Sequence, residues 1–446
     1  MSPAVVILSD DAQRNPGANK TGRRSHSTAE VTFYNADGFD FLDGLHVTQY
    51  IALAGRRITV AVTGGIAAYK ACDVVRLLRK AGADVSVVMT KAATAFVTPL
   101  TFETLSGHPV GVDVLQTPLS HLKASQATDL FLVVPATANL LAKMAAGIAD
   151  DLVSSAALAR TAPTAVCPAM NTAMWLNPAT QRNVRRLKED GVEVWGPAEG
   201  TLACGAKGPG RLIEPAEIVE RTAALLTPKT LAGRRAVVTA GPTEEAWDPV
   251  RVITNRSSGR QGYAVARALA AAGAEVTLLT GPTALSAPVG VRTITVTDAR
   301  DLLAKSLEAA VGADLFVGVA AVADWRPEAP SAVKLKKKPG EDRMTLTLVK
   351  NPDVVASVKA ACPNIVAMGF AAETENVAAQ AQDKLKRKGL DVVVGNLATA
   401  TLGRDTNAVT VVTAAGVEEF PESTKDEVAA RLVQVLARVL KEKHHA

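Results

Sequence analysis

Cys204 stands in a glycine-rich stretch that runs from Gly200 to Gly210, where a small apolar side chain has no packing duty. A thiol on such a loop is a stronger candidate for chemistry than Cys72 and Cys167, which read as core thiols. Asn171 lies in Pro168-Ala169-Met170-Asn171-Thr172-Ala173-Met174-Trp175, after the strand-like Ala165-Val166-Cys167. Its amide either shapes a turn or serves a site. His121, in a polar stretch before the apolar run at Asp129, is either an exposed imidazole or a base. Thr63-Gly64-Gly65 joins a strand to a helix. Glycines there allow backbone N–H groups to approach a phosphate, although the same residues also suit a tight turn. The stretch is not GxGxxG, so a mononucleotide such as FMN fits better than a dinucleotide. Pro135-Ala136-Thr137-Ala138-Asn139 ends a later strand with small and polar groups that suit a flavin edge.

A second constellation follows. Asn255-Arg256-Ser257-Ser258-Gly259 lies between a strand and a helix, with Arg251 just upstream. It either wraps a phosphate and an acyl group or caps the helix. Asp324 closes Ala320-Ala321-Val322-Ala323-Asp324, and an acid at a strand's carboxyl end suits metal or ribose contact. The run Lys334-Leu335-Lys336-Lys337-Lys338 comes next, followed by Asn351-Pro352-Asp353 and Gly369-Phe370-Ala371-Ala372-Glu373. Lys384 and Lys388 share one helix face and could bind a triphosphate or simply be solvated.

These residues need strand ends to hold them, and the pattern supplies two sets. Leu53-Ala54-Gly55-Arg56-Arg57 precedes the strand Ile58–Val62, and Leu231-Ala232-Gly233-Arg234-Arg235 precedes the strand Ala236–Thr239. Each strand leads through a glycine-containing turn into a helix, Ala67–Ala81 or Gly262–Ala272, and then a second strand, Asp84–Met89 or Glu275–Leu279. The runs Asp129–Val134 and Asp314–Val319 read as further buried parallel strands. The expected fold is α/β, with two doubly wound, Rossmann-like parallel-sheet domains over residues 55–228 and 229–446, joined near Thr227–Thr230. Residues 1–54 read as a partly disordered extension, polar and basic from Asn15 to Ser27, with Val31–Tyr34 a short strand.

Composition narrows the class. At 446 residues and 48% hydrophobic, the chain can bury more than one core. A net charge of +5 suits anionic small ligands and is too weak to argue for nucleic acid. The four cysteines show no CxxC spacing and the six histidines do not cluster near them, which argues against zinc and against a disulfide framework. No apolar run is long enough for a membrane span, and a cytoplasmic enzyme is expected.

The region from about 55 to 226 resembles the phosphopantothenoylcysteine decarboxylases. The resemblance rests on Gly64-Gly65-Ile66-Ala67-Ala68-Tyr69-Lys70, the Pro168–Trp175 block, Ala203-Cys204-Gly205 and His121. It implies FMN held by Gly64, Gly65, Ile66, Thr90, Ala136, Thr137 and Met174, with Arg211 on the substrate. FMN would oxidise the substrate thiol to a thioaldehyde, which gives the departing carboxylate an electron sink. His121 would act as base, the Asn171 amide would hold the carboxylate, and Cys204 would deliver the last proton as hydride returns from the cofactor.

Residues from about 230 to 420 resemble the CTP-using phosphopantothenate–cysteine ligases, and the bifunctional decarboxylase–ligases share this domain order. The resemblance implies that CTP converts 4'-phosphopantothenate to an acyl-cytidylate, which L-cysteine attacks. Asn255 and Arg251 would hold the acyl intermediate, and Lys334 would act in its conversion. Asp324, Asp353 and Phe370 would frame cytidine and metal, with Asp324 the metal contact, and Lys384 and Lys388 would bind the triphosphate. Mg2+, or Mn2+, is implied with the nucleotide, as is a homo-oligomer of dodecamer type in which the ligase halves dimerise. Two other classes compete: a non-catalytic flavoprotein that regulates a partner, and a nicotinamide-dependent reductase. Cys204, Asn171 and His121 together favour catalysis over the first, and the missing GxGxxG opposes the second.

Overall fold

A computed structural model describes residues 50–114, 125–203, 205–336, 344–373, 375–397 and 404–445. The expected Val31–Tyr34 strand, His121, Cys204, Lys337 and Lys338 lie outside the described residues.

The first sheet begins with β1 (Arg57–Val62), buried from Ile58 onward. A strand covered on both faces reads as a continuous apolar run rather than an alternation. α1 (Ala68–Lys80) follows, burying Ala71, Val74, Val75 and Leu78 at helical spacing. Then come β2 (Asp84–Met89), α2 (Pro99–Ser106), the fully buried β3 (Leu130–Ala136), α3 (Ala138–Ala146), α4 (Leu152–Leu158) and β4 (Thr164–Pro168). α5 (Thr172–Leu176), α6 (Pro178–Glu189) and β5 (Glu193–Val194) complete the unit. The strand order is β2-β1-β3-β4-β5, with every pair parallel. One face packs Val60, Leu78, Met89, Leu132 and Ile218, and the other packs Phe131, Val133, Leu141, Leu152 and Val166. The chain leaves β1 in one direction to β2 and later enters β3 on its other side. That reversal opens a crevice at the carboxyl ends of β1 and β3. A separate antiparallel pair, β6 (Ala198–Thr201) and β7 (Lys207–Arg211), precedes α7 (Pro215–Leu226), which packs on α1.

The second sheet repeats the scheme with β8 (Arg235–Ala240), the short pair β9 (Glu244–Ala246) and β10 (Val252–Thr254), α8 (Arg260–Ala271), β11 (Glu275–Thr280), β12 (Arg292–Thr295), α9 (Ala299–Ala310) and β13 (Leu315–Gly318). A second short pair, β14 (Trp325–Pro327) and β15 (Leu348–Lys350), leads into α10 (Val354–Ala361), β16 (Val366–Glu373), α11 (Val377–Lys388) and β17 (Val392–Leu397). β18 (Thr406–Thr413), β19 (Gly416–Thr424) and α12 (Lys425–His445) end it. The order is β12-β11-β8-β13-β16-β17-β18-β19.

The sheet is not wholly parallel: β18 and β19 add antiparallel strands to its edge. Buried Asn407, Val409, Val411 and Val412 give β18 a half-buried pattern that a crossover strand would not need. The outermost strand is largely exposed and carries Glu418, Glu419 and Glu422, charges that discourage further pairing. Val428, Leu432, Leu436 and Leu440 of α12 close the core beside Val265 and Leu269 of α8. Among the described residues no helix is long and apolar enough to cross a membrane.

Candidate functional site

At the carboxyl ends of β1, β3 and β4 lies a cleft of about 640 Å³. Gly64, Gly65, Ile66, Thr137, Asn171, Met174 and Arg211 line it. The Thr63 hydroxyl ties two strand ends together: it donates to the Pro135 carbonyl at 2.6 Å and accepts the Thr137 N–H at 3.1 Å. Thr137 in turn caps α3, its hydroxyl accepting the Leu140 N–H at 3.4 Å. Asn171 caps α5 through the Ala173 N–H at 2.9 Å, so the turn-forming role of this residue is real. That contact also fixes its side chain at the cleft wall.

Two of the sequence-derived cofactor residues do not line the cleft. Ala136 is fully buried, and its methyl belongs to the core on the opposite face. Thr90 follows β2, and its hydroxyl accepts the Ala93 N–H at 3.3 Å.

The pair β6–β7 closes one side of the cleft. Met170 N–H donates to the Gly210 carbonyl at 3.0 Å. Gly210 has φ 144°, and a Cβ there would lie 2.3 Å from the Met170 carbonyl oxygen, so only glycine permits this approach. The same hairpin brings Thr201, Leu202 and Ala203 to the cleft, and Cys204 follows Ala203 in sequence. Cys167 is fully buried in β4, and burial pushes its thiol far above the usual range. It is a core thiol.

The lining suits a flavin mononucleotide. α1 begins without a side-chain cap, and Gly65, Ile66 and Ala67 at its start face the cleft, a setting that favours a phosphate. A Cβ on Gly64 would come within 2.5 Å of the Ala92 Cβ, so the turn is pressed against its neighbour and held in place. Ile66 and Met174 are large apolar side chains left 61% and 49% exposed, available to cover an aromatic ring system.

The second constellation gathers at the carboxyl ends of β8, β13 and β16. Asn255 donates to the Val322 carbonyl at 3.0 Å and the Ala321 carbonyl at 3.3 Å, joining two strand-end loops. Asp324 is exposed, and its carbonyl accepts the Asn351 N–H at 2.8 Å. Arg251 pairs with buried Asp248 and sits 4.9 Å from the Trp247 ring centre. Its guanidinium also donates to the carbonyl of Leu335, next to Lys334, at 2.8 Å. Arg251 and the start of the lysine run are therefore neighbours.

Lys384 and Lys388 are not a solvated face. Lys388 pairs with Asp353 at 2.5 Å, and Lys384 donates to the Phe370 carbonyl. Burial pulls the Lys384 ammonium below its usual range, and Lys388 adds to the effect. Burial alone would raise the Asp353 carboxyl, but the Lys388 contact and the Ala356 N–H hold it lower than an ordinary aspartate. The arrangement brings Asp353, Phe370, Lys384 and Lys388 together. Among the described residues no cluster of three or more His, Cys, Asp or Glu could hold a metal unaided.

Sequence reasoning missed Asp248, and named Asn351 only as part of its loop. Asn351 is buried, and its amide donates to the Ala323 carbonyl at 2.8 Å, fixing the Asp324 turn. Asp248 carried a signal in Asp248-Pro249-Val250-Arg251, because an aspartate often accepts backbone N–H groups two and three residues on.

Two family models match the chain. A flavoprotein model covers residues 47–227, and a DNA/pantothenate metabolism flavoprotein C-terminal domain covers residues 231–440. The coenzyme A biosynthesis bifunctional protein CoaBC of Vibrio cholerae serotype O1 is 44% identical over 393 residues, spanning 86% of this chain and 98% of that relative. The protein of the same name from Escherichia coli strain K12 is 42% identical over 411 residues, 88% of this chain and 100% of the relative. That of Bacillus subtilis strain 168 is 42% identical over 402 residues, 87% and 98% respectively.

Proposed function

The chain belongs to the family of bifunctional coenzyme A biosynthesis proteins, and we propose how its residues divide that work. The enzyme couples a phosphopantothenate–cysteine ligase with a phosphopantothenoylcysteine decarboxylase. In this proposal residues 55–228 carry the decarboxylase and residues 229–446 the ligase.

The observation that carries the decarboxylase half is the clamp of β7 on the Met170–Asn171 segment. It brings Thr201–Ala203 to the same cleft that the uncapped start of α1 enters, and Cys204 follows them in sequence. FMN is the cofactor that the cleft would take, with its phosphate at Gly65–Ala67 and its ring against Ile66 and Met174. Bound FMN supplies reversible two-electron oxidation of the substrate's thiol. The chain's own groups then do the rest. The Asn171 amide holds the carboxylate until carbon dioxide leaves, and Arg211 lies on the same wall for an anionic substrate. His121 takes a proton in the oxidative half. Cys204 returns one to the carbon skeleton in the reductive half, and the overall change is redox-neutral because the reduced cofactor would give back the two electrons it took.

In the ligase half CTP is the activating nucleotide. Lys384 and Lys388, already gathered at Asp353, would exchange those contacts for the triphosphate. Mg2+ would arrive with the nucleotide, held by Asp324 and phosphate oxygens, since magnesium commonly uses few protein carboxylates. Phosphopantothenate would be converted to the acyl-cytidylate with release of pyrophosphate. Asn255 and Arg251 would hold the acyl group while cysteine's amine displaces CMP, and Lys334 would assist that step. A homo-oligomer is part of the proposal, supported by Phe96, Leu100 and Leu176, which leave apolar surface exposed. So is a cytoplasmic location, where a free substrate thiol stays reduced.

The Cys204→Ser variant tests the decarboxylase assignment. It should release carbon dioxide, stall at the enethiol and leave the flavin reduced. Normal formation of 4'-phosphopantetheine would refute the role of Cys204.

A further inference from the structure

The buried carboxylate of Asp248 has no part in the chemistry above, yet it touches both cationic segments of the ligase site. Its side chain is 0% exposed. One oxygen, Oδ1, accepts the backbone N–H groups of Val250 and Arg251, each at 2.9 Å. The other, Oδ2, accepts Arg251 Nε at 3.0 Å and Nη2 at 2.5 Å, and also the Leu335 N–H at 3.2 Å. Arg251 completes the ring by donating to the Leu335 carbonyl at 2.8 Å, and Ser331 N–H donates to the Trp247 carbonyl at 2.8 Å. The backbone on both sides of Lys334 is thereby pinned to the turn that bears Arg251, while Lys334 itself stays exposed.

A carboxylate with both oxygens so engaged stays ionised, and the Arg251 contact is the main cause. Desolvating such a charge is unfavourable unless its partners are held in fixed geometry. The fixed geometry is the useful product. Arg251 and Lys334 come from segments more than eighty residues apart, and the Asp248 carboxylate is bonded to polar groups of both.

We infer that Asp248 is a positioning residue for the ligation reaction: it sets the spacing between the Arg251 guanidinium and the loop that carries Lys334. The inference rests on the ligase reading of this half of the chain. It extends that reading to a group that contacts neither nucleotide nor acyl intermediate.

The test uses the full chain and an assay for each half. Asp248→Asn keeps the shape and removes the charge. Ligation of cysteine to 4'-phosphopantothenate with CTP should fall roughly 10–100-fold, the scale of a lost charge-assisted contact. Flavin content and decarboxylation of supplied phosphopantothenoylcysteine should stay within about twofold of wild type, since they depend on residues in the other sheet. Trypsin, added to the native protein, should cut after Lys334 and Lys336 several times faster than in wild type, because the loop has lost its tether. Leu335→Pro removes the N–H that Asp248 accepts while also restricting the backbone at 334 and 335, and should lower ligation likewise and speed cleavage after Lys336, the Lys334–Pro bond itself being resistant to trypsin. Unchanged ligation or unchanged cleavage in Asp248→Asn would overturn the proposal. If that variant fails to fold, normal ligation by Leu335→Pro would overturn it instead. A wild-type protein that never joins cysteine to phosphopantothenate would overturn the ligase reading itself, and with it this role for Asp248.

Discussion

Replacing Gly210 with alanine is the most informative single perturbation of the decarboxylase cleft. The added Cβ would lie 2.3 Å from the Met170 carbonyl oxygen and 3.4 Å from the Thr172 nitrogen. Both neighbours are backbone, so no side chain can swing aside. Holding a non-glycine residue at φ 144° costs on the order of 1–3 kcal/mol. Relieving the clash means moving β7 away from Met170, which loses the Met170 N–H to Gly210 carbonyl bond, worth about 1 kcal/mol. The sum, roughly 2–4 kcal/mol, is enough to lift the hairpin while leaving the five-stranded sheet intact. A cofactor that depends on the closed hairpin would then bind about 30- to 1,000-fold more weakly, at about 1.4 kcal/mol for each factor of ten. Gly210→Ala protein, passed through gel filtration, should lose most of its absorbance near the flavin maximum and most of its decarboxylation, yet keep ligation. Retention of wild-type flavin stoichiometry and decarboxylation rate would refute the claim that this contact closes the site.

Further outcomes follow from other contacts. Lys334→Ala should still release pyrophosphate from CTP and phosphopantothenate without cysteine and accumulate acyl-cytidylate, whereas Lys384→Ala should raise the CTP requirement by a charge-assisted contact's roughly 1.5–3 kcal/mol. A pyrophosphate assay on both variants decides, and the reverse pattern would refute the division of labour. Asp391 accepts Lys359 at 2.7 Å, Lys443 at 3.0 Å and the Ala367 N–H at 2.8 Å, so Asp391→Asn should cost about 2–4 kcal/mol of stability at neutral pH, read by calorimetry. Burial opposes ionisation of Asp391, but those contacts leave its carboxyl below the usual range. A depressed folded-state value means that its contribution is present above the unfolded value, about pH 4, and fades as pH falls through the folded one. The variant should therefore lose less stability than wild type on acidification. Native-state alkylation followed by peptide mass spectrometry should modify Cys204 well before Cys167, whose buried thiol stays protonated; early labelling of Cys167 would contradict its core placement.

Much of the architecture was legible because buried parallel strands leave continuous apolar runs. Asp84–Met89 matches its strand end for end, and α1 falls one residue inside each expected end. The antiparallel edge β18–β19 was not read, because its alternation is half-hidden by threonines and glutamates that serve equally well in loops. At the site, local spacing located Gly64, Gly65, Thr137 and Asn171 beside one cleft. Whether a side chain faces the cleft or the core depends on one strand position, so the Ala136 methyl joins the core while its neighbour Thr137 lines the cleft. The sequence left open whether the lysines of α11 bind a triphosphate or are solvated, because their partners, Asp353 and the Phe370 carbonyl, arrive from distant segments. Asp248 was passed over because its tie to the Lys334 segment, the Leu335 N–H, arrives from a distant part of the chain, while its other four hydrogen bonds come from Val250 and Arg251 nearby.

The central claim is that one chain both joins cysteine to phosphopantothenate and decarboxylates the product. The most direct measurement gives the purified full-length protein 4'-phosphopantothenate, L-cysteine, CTP and Mg2+, and follows all products together by mass spectrometry. The expected product is 4'-phosphopantetheine, with pyrophosphate and carbon dioxide formed in equal amounts, and phosphopantothenoylcysteine appearing only in passing. Accumulation of phosphopantothenoylcysteine by flavin-loaded protein would contradict the decarboxylase assignment, and absence of any cysteine adduct would contradict the ligase.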